Sequence, residues 1–173
     1  MTTHSQGAVE NPRRMLFLYT TLSALMACSA ISTDLYLPGL PSIESQMGGN
    51  IELTITGFLI GFAIAQLIWG PVSDRIGRKI PLMLGMAIFA VGSAGCALAS
   101  TTTELVLWRL VQAVGACVGP MLARAIVRDM YQGVRAAQVL STLVLIMAIA
   151  PIAGPLLGGF LVVSGGWRLT FWA

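Results

Sequence analysis

The sequence predicts an all-α membrane protein, a bundle of helices that crosses a lipid bilayer several times. Of its 173 residues, 56% are hydrophobic, and the mean hydropathy is +0.83. A soluble domain of this length needs more polar surface than such a composition supplies. The apolar residues also come in long runs of about 20, the number that a helix needs to cross a hydrocarbon core about 30 Å thick. Strands are excluded because an open sheet edge in lipid leaves backbone groups unpaired.

Five complete apolar runs predict five transmembrane helices, and a sixth run begins near the end of the chain. The predicted spans are 15–37, 53–72, 81–100, 105–127 and 139–163, with the start of a sixth at 167–173. In this interpretation residues 1–14 form a cytoplasmic tail and residues 15–173 form one transmembrane domain. Short connections separate the spans, and the longest, 38–50, is rich in proline and glycine and is predicted to be a loop.

The distribution of charge predicts the orientation of the bundle. If the spans alternate in direction, eight of the ten basic residues fall on the side of the N-terminus: Arg13, Arg14, Arg75, Arg78, Lys79, Arg124, Arg128 and Arg135. The connections on the other side carry three glutamates and a single arginine, Arg168. The positive-inside rule therefore places the N-terminus in the cytoplasm. No basic face is interleaved with exposed aromatic residues, so nucleic acid is not an expected partner.

The chain lacks the residue clusters that most enzymes need. Its only histidine is His4, and its two acids near the predicted turns, Asp74 and Asp129, are single carboxylates flanked by bases. Acid–base or metal-assisted chemistry requires several such groups together. We therefore expect no enzyme activity, no metal and no bound cofactor. The three cysteines lie inside predicted spans and are interpreted as small apolar fillers.

Three spans contain glycine pairs at four-residue spacing. The pairs are Gly57 with Gly61, Gly115 with Gly119, and Gly154 with Gly158. Small residues at this spacing allow helix backbones to approach closely. The pattern predicts close packing within the bundle, or alternatively a helix that slides or rocks against its neighbour.

The turn "GPVSDRIGRK" (70–79) concentrates charge between two apolar spans. A solvated hairpin that obeys the positive-inside rule explains its three bases. It does not explain Asp74, which is placed to accept hydrogen bonds from a helix N-terminus, or the glycines Gly70 and Gly77, which permit a tight turn. We expect Arg78 to reach Asp129 across the cytoplasmic face, in a bond that holds one arrangement of the helices.

Three segments resemble signatures of the major facilitator superfamily. "GPVSDRIGRKIPL" (70–82) is similar to its loop signature, with Val72 in place of leucine. "LWRLVQAVGA" (107–116) resembles its span-four signature, with Ala113 in place of a glycine, and "APIAGPLLGG" (150–159) resembles the span-five antiporter signature, with Ala150 in place of a glycine. Together with "TDLYLPGLP" (33–41), the pattern looks like the drug:proton antiporters of the Bcr/CflA type, the bicyclomycin and phenicol resistance group.

This resemblance implies a fold and a set of functional residues. The fold is the N-terminal six-helix bundle of a facilitator, with its sixth helix truncated and the C-terminal six-helix half missing. The conformational latch comprises Gly70, Asp74, Arg75, Gly77, Arg78, Lys79 and Asp129. In the family reading Asp74 engages a helix of the C-terminal half and Arg78 pairs with Asp129. The bendable antiporter helix contains Pro151, Gly154, Pro155, Gly158 and Gly159, with ordinary kinked packing as the alternative.

Asp34, Arg109 and Gln112 are the candidates for proton coupling or for lining a cavity. An arginine inside a span is costly, so Arg109 is expected to face a cavity or a partner; the alternative is that it snorkels to the external interface. Gln112 lies three residues further on the same face. Asp34 is the only acid near the first span and is expected to face the same cavity and exchange partners with Arg109; the alternative is an exposed cap.

The predicted function is proton-coupled efflux of small hydrophobic drug-like molecules across the cell inner membrane. The proton gradient is the energy source, and the bilayer and the missing half are the expected partners. Because the chain ends about one turn into the sixth helix, it is interpreted as an N-terminal fragment that does not transport alone. The alternative is a membrane scaffold or partner subunit without transport activity.

Overall fold

The computed structural model describes residues 12–173, with side chains described from residue 19 onward. Every regular element in that range is helical, which confirms the predicted all-α fold. The elements are α1 (Pro12–Asp34), a 3-10 turn (Leu37–Gly39), α2 (Leu40–Met47), α3 (Glu52–Ile76), α4 (Lys79–Leu98), α5 (Thr102–Ala116), α6 (Val118–Met130), α7 (Gly133–Gly165) and α8 (Leu169–Trp172). Of the predicted tail, residues 1–11 lie outside the described residues.

Four helices in the described part of the chain are long and apolar enough to cross a membrane. They are Glu52–Ile76, Lys79–Leu98, Thr102–Met130 and Gly133–Gly165, in the order of the second to fifth predicted spans. Helix α1, which carries the first predicted span, has 23 residues. At 1.5 Å per residue its length is about 35 Å, enough to cross a bilayer. Its role as a span stays a prediction.

The outward faces of these helices suit a lipid environment. Leu67 on α3 is 77% exposed, and Phe160 and Val163 on α7 are 72% and 89% exposed. Large apolar side chains exposed in such numbers favour contact with another apolar phase over water. Between helices in lipid, close packing replaces the hydrophobic effect as the stabilising contribution.

The fourth predicted span, 105–127, is divided into α5 and α6 at Cys117. Pro120 has no backbone N–H to donate to the carbonyl of Ala116, so one helical hydrogen bond is missing at this point. Cys117 nevertheless keeps helical dihedrals, and its N–H donates to the carbonyl of Ala113 at 3.2 Å. The two segments therefore continue one another as a single, mostly buried rod of 29 residues.

The prediction of a loop over 38–50 is wrong for most of its length. A 3-10 turn and then α2 occupy residues 37–47, and only the glycine-rich end is irregular. Pro38 and Pro41 lie in the first turns of these two elements, where a fixed φ favours helix and a missing N–H costs nothing. Ile43 is fully buried and anchors α2 to the bundle. Gly48, with φ +65°, ends the helix.

Two glycine pairs mark where the central rod packs against its neighbours. A Cβ at Gly61 would lie 3.1 Å from Leu110, so α3 approaches α5 closely. A Cβ at Gly115 would overlap the backbone of Phe89 on α4, and one at Gly119 would lie 2.8 Å from the carbonyl oxygen of Leu25 on α1. These contacts agree with the interpretation of close bundle packing.

The third glycine pair fixes α7 to the end of α1. A Cβ at Gly154 would lie 2.6 Å from the Cβ of Asp34, and a Cβ at Gly158 would overlap the carbonyl oxygen of Leu35. Since neither a backbone carbonyl nor a Cβ atom can rotate away, the approach depends on glycine at both positions. The end of α1, which carries a candidate functional acid, therefore lies directly on α7.

Candidate functional site

Arg109 lies in the middle of the bundle with none of its surface exposed. Helix α5 carries it into a shell of three aromatic rings. The guanidinium carbon is 3.7 Å from the ring centre of Tyr36, 4.9 Å from that of Phe58 and 5.3 Å from that of Phe171. The negative faces of such rings attract a cation within about 6 Å. This complete burial does not fit the alternative in which Arg109 snorkels to the external interface.

Gln112 connects Arg109 to the serines of two other helices. The Nη1 of Arg109 donates to Oε1 of Gln112 at 2.7 Å. The Nε2 of Gln112 donates to Oγ of Ser93 on α4 at 2.7 Å and approaches Oγ of Ser32 on α1 at 3.4 Å. One turn of α5 separates Arg109 from Gln112, which places both side chains on one face, as the sequence predicts. A continuous polar path thus runs from a buried charge on α5 to α1 and α4.

The charge of Arg109 is not matched by an acid in the described part of the chain. Both ion pairs found there involve Arg78 instead. The Nε and Nη2 groups of Arg109 make no hydrogen bond within residues 12–173 and are completely buried. Burying an arginine without a carboxylate is costly unless other groups compensate. Here the aromatic shell and Gln112 provide part of that compensation.

Asp34 lies near this network but outside it. It is the last residue of α1, is partly buried, and packs its Cβ beside Gly154. Its carboxylate is not within ion-pair distance of Arg109 in this conformation, because neither of the two ion pairs among the described residues includes it. The predicted exchange of partners between Asp34 and Arg109 stays a prediction.

A cavity of about 480 Å³ opens beside Gln112. Its polar end consists of Gln112, Ser32 and Ser93, and most of its wall is apolar. The other lining residues are Cys28, Ile31, Leu35, Phe89, Leu157, Phe160, Leu161, Thr170, Phe171 and Ala173. Asp34 and Arg109 do not line this cavity; Gln112 is the candidate residue that does.

The turn between α3 and α4 forms a second polar cluster around Arg78. The Nε of Arg78 donates to Oδ2 of Asp129 at 3.0 Å, and its Nη1 donates to Oδ1 of Asp74 at 2.6 Å and to Oγ of Ser73 at 2.8 Å. The hydrogen bond to Asp129 is the main reason why the pKa of Arg78 is raised above its ordinary value. Gly77, with φ +83°, makes the sharp turn that aims Arg78 back at both acids.

The other residues of the loop motif and of the antiporter helix make fewer polar contacts. The carbonyl of Gly70 accepts a hydrogen bond from Ser73 at 2.9 Å. Arg75 and Lys79 flank the turn and form no ion pair within the described residues. Helix α7 runs as one helix through Pro151 and Pro155.

Sequence reasoning missed several residues of both clusters. The aromatic shell of Arg109 comes from three distant elements, and no spacing in the sequence links Tyr36, Phe58 and Phe171. Ser93 is a single hydroxyl in an apolar helix, and Ser73 is a buried serine inside the loop motif. A signal did exist for Ser93, since it is the most deeply placed hydroxyl of the third apolar run.

Several known proteins are similar to this chain. The "Uncharacterized MFS-type transporter YdgK" of Bacillus subtilis (strain 168) is 37% identical over 170 residues, which cover 94% of this chain and 42% of that protein. The "Multidrug resistance protein MdtL" of Escherichia coli (strain K12 / DH10B) is 36% identical over 153 residues, covering 87% of this chain and 39% of that protein. MdtL of Escherichia fergusonii matches with the same values. The chain thus spans about two fifths of the length of these relatives.

The family assignment follows from a match that covers most of the chain. Residues 22–173 match the Major Facilitator Superfamily. That stretch contains the four membrane-capable helices, the Arg109 network and the Arg78 cluster. The chain therefore belongs to the Major Facilitator Superfamily, a family of multi-pass membrane transporters rather than of enzymes.

Proposed function

We propose that this chain is the N-terminal half of a proton-coupled multidrug efflux transporter of the Bcr/CflA type. It exchanges small hydrophobic drug-like substrates for protons across the cell inner membrane, together with a C-terminal six-helix half. The observation that carries the proposal is Arg109, a fully buried cation in the middle of the bundle that is hydrogen-bonded to Gln112 and has no acid partner among the described residues. The resemblance of residues 150–159 to the span-five antiporter signature and the names of the MdtL relatives support drug export.

Asp34 is the proton-carrying group in this proposal. It lies two residues before Tyr36, whose ring rests on the guanidinium of Arg109. In this proposal the end of α1 turns the carboxylate from its place beside Gly154 toward Arg109. When Asp34 loses its proton, Arg109 turns from Gln112 to the carboxylate; when Asp34 is protonated again, Arg109 returns to Gln112. The two N–H groups of Arg109 that lack partners are the donors available for this exchange.

The Arg78 cluster is the latch that holds one conformation. Arg78 ties the turn between α3 and α4 to Asp129 at the end of α6, and it also holds Asp74. On the change of state Asp74 leaves Arg78 for the C-terminal half. Both acids are more than half exposed, so each bond breaks at small cost, below about 1 kcal/mol for a surface pair.

Helix α7 links the proton site to the cavity. Its glycine face rests on α1 beside Asp34, while Leu157, Phe160 and Leu161 line the cavity. A shift of α7 therefore changes the surroundings of Asp34 and the shape of the cavity together. Pro151 and Pro155 remove two backbone donors from this helix and ease such a movement.

The proposed orientation places the N-terminus and the Arg78 cluster in the cytoplasm. The bases Arg75, Arg78 and Lys79 lie at one end of α3 and α4, and Glu52 and Glu104 lie at the other ends of α3 and α5. This polarity agrees with the positive-inside rule.

The test is drug-dependent proton movement in inverted membrane vesicles from an efflux-deficient bacterium that expresses the complete transporter containing this chain. A pH-sensitive dye in the lumen reports proton release when drugs from a panel are added. We expect exchange by the wild type, no exchange by Asp34→Asn with normal insertion, and unchanged exchange by Glu44→Gln, an exposed acid on α2. The 173-residue chain alone is not expected to export. Wild-type exchange by Asp34→Asn, or none by the wild type, would refute the proposal.

A further inference from the structure

Tyr36 is held at both ends where it covers Arg109. Its backbone lies at the start of the 3-10 turn, and its carbonyl accepts a hydrogen bond from the N–H of Gly39 at 2.8 Å. Its hydroxyl lies 3.2 Å from Oγ1 of Thr54 on α3, and both residues are buried. Between these two ends the ring centre lies 3.7 Å from the guanidinium carbon of Arg109. The ring is therefore fixed across the buried charge.

A second hydrogen bond decides which of the two hydroxyls is the donor. A threonine hydroxyl has one hydrogen, and Thr54 donates it to the backbone carbonyl of Ile51 at 2.6 Å. The oxygen of Thr54 can then only accept, so the hydroxyl of Tyr36 donates to it. Hydrogen bonds in series polarise one another in a medium of low dielectric, and a phenol that donates becomes richer in electrons. The ring face that contacts Arg109 therefore attracts the cation more strongly.

The same hydrogen bond connects two helices that pack mainly against other parts of the bundle. Helix α1 packs on α6 and α7, whereas α3 packs on α5. Tyr36 lies two residues after Asp34, the last residue of α1. Its attachment to Thr54 therefore ties the chain beside Asp34 to α3, and it fixes the point about which the end of α1 can turn.

We infer that Thr54 is a positioning residue for the proton-coupling step. It acts through Tyr36: its hydroxyl holds the ring on Arg109 and so keeps the guanidinium at the place where Asp34 meets it. The inference rests on the proposed function, because the step that Thr54 serves is the meeting of Asp34 with Arg109. It adds to that function a residue on α3, a helix that otherwise has no part in the proton step.

The first test follows the magnetic environment of Arg109 in the 173-residue chain in lipid nanodiscs. With ¹⁵N-labelled arginine, the side-chain N–H signal of Arg109 is identified by its nuclear Overhauser effect to the ring protons of Tyr36. The ring current should shift this signal upfield of free arginine. Thr54→Val, which keeps the shape of the side chain and removes the hydroxyl, should move it back toward free arginine, and Thr54→Ser should leave it in place.

Two further variants separate this effect from a general loss of structure. Thr142 on α7 is the matched control, because its hydroxyl also donates to a carbonyl of its own helix, that of Gln138 at 3.1 Å, but the residue is exposed. Thr142→Val should not move the Arg109 signal. If Thr54→Val shifts the signals of all arginines, the variant has not folded, and Tyr36→Phe then carries the same test.

The second test is drug–proton exchange by the complete transporter in the vesicle assay, with rates normalised to inserted protein. Thr54→Val and Tyr36→Phe should each slow exchange about 3- to 10-fold, the effect of one net hydrogen bond. Because both remove the same bond, the double variant should be no slower than the slower single variant. Thr54→Ser and Thr142→Val should exchange at the wild-type rate.

The inference is overturned if Thr54→Val leaves the Arg109 signal or the exchange rate unchanged, if Thr54→Ser is as slow as Thr54→Val, or if the two single effects multiply in the double variant. A moved Arg109 signal in Thr54→Val, with no exchange by the wild type, would refute the proposed function and leave the positioning of Tyr36 by Thr54 standing. Exchange that Asp34→Asn abolishes and Thr54→Val does not alter would do the reverse.

Discussion

One methyl group at Gly158 should separate α7 from α1. Gly158→Ala places a Cβ onto the carbonyl oxygen of Leu35, a backbone atom that cannot rotate away. At Gly154, one turn earlier, the added carbon would lie 2.6 Å from the Cβ of Asp34, whereas carbon atoms in contact prefer about 3.5–4.0 Å. The overlap at Gly158 is closer than the one at Gly154, so Gly158→Ala must move the helices apart by about 1 Å or more. Overpacking of this kind costs about 1–3 kcal/mol, and the better helix propensity of alanine returns up to about 1 kcal/mol.

The neighbouring glycine provides a matched control for this prediction. Gly159→Ala gains the same helix propensity, but its Cβ would meet no atom within 4 Å. Thermal unfolding of the purified chain in detergent, followed by circular dichroism, compares the two. A net loss of about 1–2 kcal/mol corresponds to a melting temperature about 2–8 °C lower for Gly158→Ala, with no decrease for Gly159→Ala. Equal melting temperatures for the two variants would refute the close approach of α7 to Leu35.

Two further predictions concern the Arg78 cluster and the thiols. Asp129→Asn should lower the free energy of unfolding by less than about 1 kcal/mol, because the pair is exposed. Since Asp129 raises the pKa of Arg78, this stabilisation is fully present below the ordinary arginine pKa, which lies far above neutral pH, and is lost only above it. The difference in melting temperature between Asp129→Asn and wild type should therefore stay constant from about pH 6 to 9. The explanation is contradicted if Asp129→Asn lowers the free energy of unfolding by more than about 2 kcal/mol. It is also contradicted if the difference in melting temperature disappears between those pH values. Of the three free cysteines, Cys28 is exposed and lines the cavity, whereas Cys96 and Cys117 are buried. A maleimide should therefore label one thiol in each native chain and no thiol in native Cys28→Ser. After unfolding it should label all three thiols of the wild type. Labelling of native Cys28→Ser would show that Cys96 or Cys117 is accessible, contrary to its burial in the structure.

The long helices could be predicted because lipid imposes a length on them. Helices α3 and α7 each contain the apolar run that predicted a span, and α4 begins two residues before its run (81–100) and ends two residues before the run does. The same reasoning failed at α2, which is short and lies outside those runs. There proline and glycine were taken as signals of a loop, although proline at the start of a helix and glycine at its end have the opposite meaning.

The candidate functional residues also include some that the sequence indicated and some that only the structure revealed. The sequence indicated Arg109 and Gln112, because a charge in an apolar run and a polar residue three positions later stand out locally. The partners of both depend on tertiary contacts: Tyr36 and Phe171 are 135 positions apart and meet over one guanidinium. The bond from Arg78 to Asp129 spans 51 positions. It was expected from two opposite charges in turns on the same side of the membrane, and the family resemblance implied the same pair. Local chemistry can be predicted from a pattern, whereas pairing across the bundle cannot.

The two arginines are held in ways that leave their bonds open to exchange. Arg109 has no acid partner among the described residues; three aromatic contacts and one amide hydrogen bond hold it, and two of its N–H groups lack an acceptor. A carboxylate that arrives at these groups can therefore pair with Arg109 without first breaking an ion pair. Arg78 does pair with acids, but in water, where the pair is worth at most about 1 kcal/mol. A protein built only for stability gains nothing from either arrangement. A transporter that must alternate between conformations of nearly equal free energy needs both, and for that reason the placement of these two charges supports an active role over a scaffold.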